Sequence, residues 1–203
     1  LTPNMVRNAI SEVEEHYGNL QRVSMANDSI NESLELKRWS LQVCKEFRLI
    51  LTREFKRLVG KLSAEREMEI QAIEVLNWLN EAFDKVSAEV SQATLTGGEI
   101  ISTVPDKKIR LKVFRELLET NEVEVDEDGD NEPSAHLLAH QIDVLDRFGN
   151  GTALCLVFED QGRDGTIVTH LLDAGLVAGP IFERVAGSIL MSGTLNPPNM
   201  FAD

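Results

Sequence analysis

The strongest constraint on the fold is a long stretch, from about Leu34 to Leu62, whose apolar side chains recur at the spacing of an α-helix. The stretch contains no proline, and its single glycine, Gly60, lies near its end. One side of the predicted helix carries mostly apolar residues: Leu36, Ser40, Val43, Phe47, Ile50, Phe55, Leu58 and Leu62. A helix with such a face needs neighbours that cover it, so we expect a helical hairpin or bundle.

Two further helices are predicted beside it. Thr2-Pro3 is a typical helix start, and an apolar stripe follows until Gly18-Asn19, where we expect the helix to loosen or end. A second long helix is predicted from about Ala64 to Val90 by its apolar pattern, and Glu65, Glu67 and Glu69 lie in its first turns, where the helix dipole favours negative charge. Its predicted buried side consists of Ile70, Ile73, Leu76, Phe83, Val86 and Val90.

Shorter helices are predicted further along the chain. One follows Pro105, with Ile109, Val113 and Leu117 on its apolar side. Another is predicted to begin at a capping Ser134 and to run to about Phe148. The acidic run from Asp126 to Glu132 between them is typical of a solvated loop, and a partner-docking segment is the alternative.

The hydrophobic period changes at Asn150-Gly151. Two short apolar runs, 152–158 and 166–172, predict a β-hairpin, and a short helix at 176–185 and a buried strand at 188–191 follow. We therefore predict a mainly α protein, a long helical hairpin or bundle, with a small C-terminal α/β portion containing a β-hairpin and one buried strand. The predicted domains are residues 1–150 and 151–203.

Composition excludes several classes of protein. The apolar runs are much shorter than the roughly 20 residues of a membrane-spanning helix. Two cysteines, Cys44 and Cys155, cannot build a disulfide framework or a four-cysteine metal site, and we expect both to be small buried hydrophobic residues. The net charge of −14 argues against binding to nucleic-acid phosphate over the whole surface.

Two local basic stretches leave room for contacts with single-stranded DNA. The first is Arg53, Arg57 and Lys61, spaced four residues apart, in a segment with eight basic and three acidic side chains. The second is Lys107, Lys108 and Arg110. The alternative, which we favour, is a solvated helix face on which the cations pair with Glu46 and Glu54.

Two other candidates are weaker. His136 and His140 are four residues apart, a spacing that suits a metal, but no third ligand is evident and we expect none to bind. Trp39 and Trp78 could stack on bases, although each lies in a long helical pattern and is better explained by core packing.

The C-terminal sequence resembles the XPD family of iron–sulfur DNA helicases. The run Gly179-Pro180-Ile181-Phe182-Glu183-Arg184-Val185 precedes an apolar Ser188-Ile189-Leu190-Met191, and then Ser192-Gly193-Thr194-Leu195-Asn196-Pro197 follows. In that family a Pro-x-Phe-Glu-Arg helix leads into a strand that ends in Ser-Gly-Thr-Leu and a proline. The resemblance is specific over about residues 150–200 and only architectural before them.

The resemblance implies that residues 1–150 are the Arch insertion and that 151–203 adjoin it in the first motor domain. Ser192, Gly193 and Thr194 would couple ATP hydrolysis to 5′-to-3′ movement along single-stranded DNA. ATP, magnesium and a 4Fe–4S cluster would belong to a longer parent protein, with no cofactor in this segment. A protein partner on the helical domain, no membrane contact, and a cytoplasmic location (nuclear in a eukaryote) are also implied.

The chain has no Gly-x-x-x-x-Gly-Lys-Ser/Thr and no Asp-Glu-Ala-His. We therefore expect the segment alone to hydrolyse no ATP and to unwind no DNA. Because it begins at Leu1, without an initiator methionine, we read it as a piece of that parent. Two alternatives stay open, namely a stand-alone helical interaction module without catalysis and a segment of a DinG-type helicase.

Overall fold

The computed structural model describes residues 1–24, 31–62, 66–96, 104–120, 132–160, 165–173 and 175–185. In this part of the chain six helices and three strands form a mainly helical fold with a small antiparallel sheet, as predicted. The helices are α1 (Pro3–Ser24), α2 (Asn31–Val59), α3 (Ala72–Thr96), α4 (Arg110–Glu119), α5 (Ser134–Phe148) and α6 (Gly175–Phe182). The strands are β1 (Glu67–Ile70), β2 (Leu154–Glu159) and β3 (Thr166–Leu171).

The long helix α2 is confirmed, and it is central to the packing. Helices α1, α3 and α4 all pack against it, and α5 packs against α1, α3 and α4. Most of the predicted apolar side of α2 is buried, including Val43, Phe47 and Ile50. Trp39 and Trp78 lie in this core, so the packing interpretation of both tryptophans is confirmed.

The predicted start of the second long helix at Ala64 is wrong. Residues Glu67–Ile70 form β1 instead, and α3 begins at Ala72. Burial in Glu67, Met68, Glu69 and Ile70 alternates with a period of two, the period of a strand with one covered face. Arg66, just before β1, has a φ of 56°, a left-handed conformation that a continuous helix does not contain.

Two other helices differ from their predictions. Helix α1 continues through Gly18 to Ser24, because a single glycine lowers helix stability without ending the helix. In α4 the buried residues are Arg110, Phe114 and Leu118, whereas Ile109 is half exposed and Val113 and Leu117 are only partly covered. Phe114 sets this rotation, because its ring packs edge-on against both Trp39 and Phe83.

Helix α5 has the predicted bounds, but the predicted capping role of Ser134 is wrong, because Ser134 is the first residue of the helix. Its N-cap position is Pro133, whose side chain makes no capping hydrogen bond. The carboxylate of Glu12 on α1 accepts hydrogen bonds from the backbone N–H groups of Ser134 and Ala135, at 2.9 and 2.7 Å. A carboxylate is favourable at this position, because it satisfies free N–H groups at the positive end of the helix dipole.

The sheet joins the two predicted parts of the chain. Its strand order is β1-β2-β3, and both pairs are antiparallel, so the predicted hairpin is confirmed as β2 and β3. Residues 1–150 are not wholly helical, since β1 lies among them and pairs with β2 from Glu67↔Glu159 to Ile70↔Leu156. One face of the sheet, with Ile70, Leu156, Phe158 and Ile167, belongs to the same hydrophobic core as the helices.

Candidate functional site

The coupling residues lie outside the part of the chain that can be described. Ser192, Gly193 and Thr194, and the strand predicted at 188–191 before them, are beyond residue 185. The acidic run 126–131 is likewise outside the described residues. The described residues include the two basic stretches and the region of β3 and α6.

The basic stripe of α2 is engaged by acidic side chains. The guanidinium of Arg53 donates hydrogen bonds of 3.1 and 2.8 Å to the two carboxylate oxygens of Glu81 on α3. Its Nε atom donates another, of 2.9 Å, to Glu54. The hydrogen bonds to Glu54 and Glu81 hold the exposed guanidinium of Arg53 between α2 and α3.

Arg57 shares the same acidic partner. Its Nε atom lies 2.5 Å from Glu54 Oε2, and its guanidinium lies 3.9 Å from Glu74. The predicted pairing of the stripe with Glu54 is thus confirmed, whereas Glu46 lies 3.8 Å from Lys85 of α3. Lys61, at the end of the stripe, is exposed.

These contacts shift the acid–base equilibria of the carboxyl groups. The hydrogen bond from Arg53 holds the pKa of Glu81 below its ordinary value. Burial of Glu54 alone would raise the pKa of its carboxyl, but hydrogen bonds from Arg57 and Arg53 outweigh burial and the pKa is lowered. The same bonds, first that to Glu81, raise the pKa of Arg53 further above its ordinary value.

The second basic stretch divides into exposed and buried members. Lys107 and Lys108 are exposed in a turn that the Asp106 carboxylate stabilises, accepting a 2.9 Å hydrogen bond from the Lys108 N–H. Arg110, the third predicted DNA contact of this stretch, is 7% exposed, so little of its side chain is accessible to DNA. Its guanidinium bonds Asp84 and Asn80, at 2.6 and 2.7 Å, and lies 4.9 Å from the centre of the Phe83 ring.

One buried cation was missed by the sequence reasoning. Lys37 is buried, and its Nζ atom donates hydrogen bonds to the carbonyl of Leu117, at 2.6 Å, and to the hydroxyl of Thr120, at 3.3 Å. It thereby caps the end of α4, while burial lowers the pKa of its amino group to about 8. The sequence contained an indication of this burial, because Lys37 lies one helical turn before Ser40 and two turns before Cys44. Both of these residues are buried.

The histidines and cysteines do not converge on a metal site in the described residues. His136 and His140 lie on α5, and no group of three or more metal-ligating side chains occurs in the part of the chain that the structure describes. Cys44 is fully buried, as predicted, and burial raises the pKa of its thiol to about 12. Cys155 is only partly buried, and lies opposite His170 in the β2–β3 ladder.

Exposed apolar side chains occur at the end of β3 and on α6, which follows it in the chain. Leu171, Leu172, Leu176 and Phe182 are 38, 66, 47 and 43% exposed. Helix α6, with the sequence Gly-Leu-Val-Ala-Gly-Pro-Ile-Phe, has no charged residue on any side. We call these four side chains the β3–α6 surface.

Leu1 lies beside the same strand, β3. The amino group of Leu1 donates a 2.6 Å hydrogen bond to the carbonyl of Ile167, and the Ile167 N–H donates a 2.9 Å bond to the carbonyl of Leu1. The two residues thus exchange both backbone hydrogen bonds, as a hydrogen-bonded pair of antiparallel strands does. The outer edge of β3 therefore accepts backbone pairing.

Comparison with known proteins does not identify a family for this chain. No family model, no curated protein and no solved structure matches the chain significantly. No helix in the described ranges combines the length and the apolar character needed to cross a membrane.

Proposed function

We propose that this chain is part of an XPD-like, ATP-dependent 5′-to-3′ DNA helicase. Residues 1–150 form its Arch-type insertion, and 151–203 are the adjoining part of its first motor domain. The insertion borders the passage for single-stranded DNA and presents a surface for a protein partner. ATP and magnesium bind elsewhere in the parent protein.

The observation that supports the proposal most is the exposure of the β3–α6 surface. A helix that is apolar on every side is normally covered, and about half of the Leu176 and Phe182 side chains is exposed. The Phe-Glu-Arg part of the family resemblance begins at Phe182, on this surface. Both features suit a segment of a motor domain, in which the rest of the domain's sheet would cover these exposed side chains.

The coupling role is assigned to Ser192, Gly193 and Thr194. Hydroxyl groups both donate and accept hydrogen bonds, so Ser192 and Thr194 can relay a change at the nucleotide to a neighbouring motor domain. Gly193 allows close approach of the backbone. These three residues hold no nucleotide on their own.

For DNA contact, the exposed cations Lys61, Lys107 and Lys108 are the remaining candidates. Arg53 and Arg57 are held by Glu54, Glu74 and Glu81, and a phosphate would have to compete with these carboxylates. A 4Fe–4S cluster does not fit this segment, since it needs four cysteine ligands and the chain has two.

The test compares ATP hydrolysis by the parent protein with that by the purified 203-residue chain. We expect DNA-stimulated hydrolysis from the parent and none from the chain. Activity of the chain that survives re-purification would contradict the proposal, as would a parent sequence without an Asp-Glu-Ala-His motif. Four cysteines upstream of Leu1 would favour an XPD-like parent over a helical module.

A stand-alone interaction module is the second candidate. It is favoured by one continuous core that includes α1 to α5 and the sheet, and by the carboxylates that engage the α2 stripe. A module of this kind would fold and bind a protein partner without any motor sequence around it. A DinG-type parent is the remaining alternative within the helicases, and the same flanking sequence tests it.

A further inference from the structure

The backbone groups of β3 point alternately to the two sides of the strand, one facing β2 and the other its outer edge. In an antiparallel ladder, successive residues direct their N–H and C=O groups to opposite sides of the strand. Ile167 directs both groups to Leu1, away from β2. Leu172 directs its N–H to Ala153, at 2.6 Å, on the β2 side. By this alternation Thr169 and Leu171 direct their backbone groups to the outer edge, as Ile167 does.

Among the described residues, the outer edge of β3 is paired only at its beginning. Within the described ranges, Leu1 supplies the backbone partner of Ile167, and β3 has β2 as its single neighbouring strand. An open strand edge is a template for another strand, because its unpaired groups form hydrogen bonds readily. The Leu1–Ile167 pair is the first rung of such a ladder.

We propose that the outer edge of β3 binds one further antiparallel strand, formed by the residues of the parent protein that are joined to Leu1. This inference rests on the proposed function, since it places Leu1 inside a longer chain. A chain that runs towards Leu1 in the antiparallel direction passes first beside Leu171 and then beside Thr169. The covalent link gives this segment a high effective concentration at the edge, ahead of any separate partner.

The chemistry at Leu1 supports this occupant. The amino group of Leu1 is largely buried against Ile167, and burial lowers its pKa to about 6, so the site favours an uncharged donor. A peptide N–H is such a donor and would make the same bond without a charge. The neighbouring Leu171 and Leu172 side chains, both partly exposed, fit a strand with apolar side chains.

Amide hydrogen exchange of the parent protein and of the 203-residue chain tests the proposal. In the chain, the amides of Thr169 and Leu171 should exchange fast, while those of Val168 and His170 are protected by β2. In the parent, Thr169 and Leu171 should exchange at least about tenfold more slowly, because both N–H groups are now hydrogen-bonded. Equal rates for these two amides in both proteins would overturn the proposal.

Two other outcomes would also overturn it. Protection that grows with the concentration of the 203-residue chain would identify a second copy as the occupant. Slow exchange in the dilute chain would show that its edge is already closed. Exchange needs no ATP, so an inactive parent with protected amides contradicts the proposed function alone, and an active parent with fast amides contradicts only this inference.

Substitution gives an independent readout. Thr169→Pro removes the outward N–H, whereas Thr169→Val keeps it and removes only the hydroxyl that bonds Gln141, at 3.2 Å. We expect Thr169→Pro to lower the melting temperature of the parent more than that of the 203-residue chain. Thr169→Val should affect both equally. Equal effects of the proline in both proteins would contradict the proposed strand.

Discussion

Arg53 on α2 and Glu81 on α3 form a two-armed ion pair, with hydrogen bonds of 3.1 and 2.8 Å between the guanidinium and both carboxylate oxygens. The pair connects the two longest helices in the described ranges near the middle of α3. Arg53 is also one of the cations that the sequence pattern predicted as a DNA contact, and in the structure it is paired with Glu81. The arrangement favours a structural role for Arg53, and it has measurable consequences.

Replacing Arg53 by Gln should raise the pKa of Glu81, because the hydrogen bond that lowers it is lost. A carboxyl with a lowered pKa contributes stability above its ordinary pKa and loses it as the pH falls through the lowered value. The variant should therefore lose about 0.2–1 kcal/mol near neutral pH, and less in acid. Carboxyl NMR titration and urea melts measure both effects.

Lys56→Gln, at an exposed position of the same helix, is the control for Arg53→Gln. It should leave the pKa of Glu81 unchanged. If Arg53→Gln also leaves that pKa in place, the ion pair does not persist in solution.

Arg110→Ala should destabilise the protein by about 2–3 kcal/mol, because it removes a buried guanidinium with two hydrogen-bond partners and a ring contact. Lys107→Ala and Lys108→Ala, in the exposed turn beside it, should change stability by less than about 0.5 kcal/mol. Chemical denaturation of the three variants gives the comparison. A small effect of Arg110→Ala would mean that this residue is free at the surface.

Gly149→Ala and Gly18→Ala should change stability in opposite directions. A methyl group at Gly149 would overlap the Leu145 carbonyl and lie 2.8 Å from the Ala72 Cβ, so α3 and α5 would have to move apart. At Gly18, inside α1, a methyl group meets no atom within 4 Å, and alanine should stabilise the helix by about 0.5–1 kcal/mol. Thermal melts distinguish the two. Stabilisation by Gly149→Ala would contradict the packing of α5 on Ala72.

In the 203-residue chain, the amino group of Leu1 predicts a pH dependence of the stability. Its pKa is lowered by burial from 8.0 to about 6 in the folded state, so between these values the unfolded chain binds more protons. Stability should rise with pH across that window, by about 1–2 kcal/mol relative to a chain acetylated at Leu1. Urea melts at pH 6 and 8 test this. Parallel pH profiles for the two forms would show that the Leu1 amine is solvated.

Much of the helical fold could be predicted because its signals are local. Helix α2 has an unbroken apolar period, and the apolar pattern of α5 extends over the residues that form the helix. Strand β1 was missed because its four residues carry glutamates that also suit a helix start. These four residues form a strand because they pair with Leu156–Glu159, about ninety residues further along the chain. No local sequence pattern reveals this partner.

The candidate site was predictable only in part, for the same reason. The spacing of Arg53, Arg57 and Lys61 indicates a shared face, but the acidic partners Glu74 and Glu81 come from another helix. Arg110 follows Lys107 and Lys108 in sequence, and only the tertiary position of Phe83 and Asp84 makes it a buried residue. The Ser192-Gly193-Thr194 assignment comes from family resemblance, and it stays a prediction.

The most direct test of the account measures how many base pairs the parent protein unwinds for each ATP that it hydrolyses, with and without Ser192→Ala and Thr194→Ala. Ser188→Ala, in the preceding apolar run, is the control. We predict that hydrolysis stays within about threefold of the unsubstituted protein while unwinding falls at least about tenfold, because only the coupling step is lost. Unchanged unwinding per ATP in both variants would contradict the assignment of this segment to the motor.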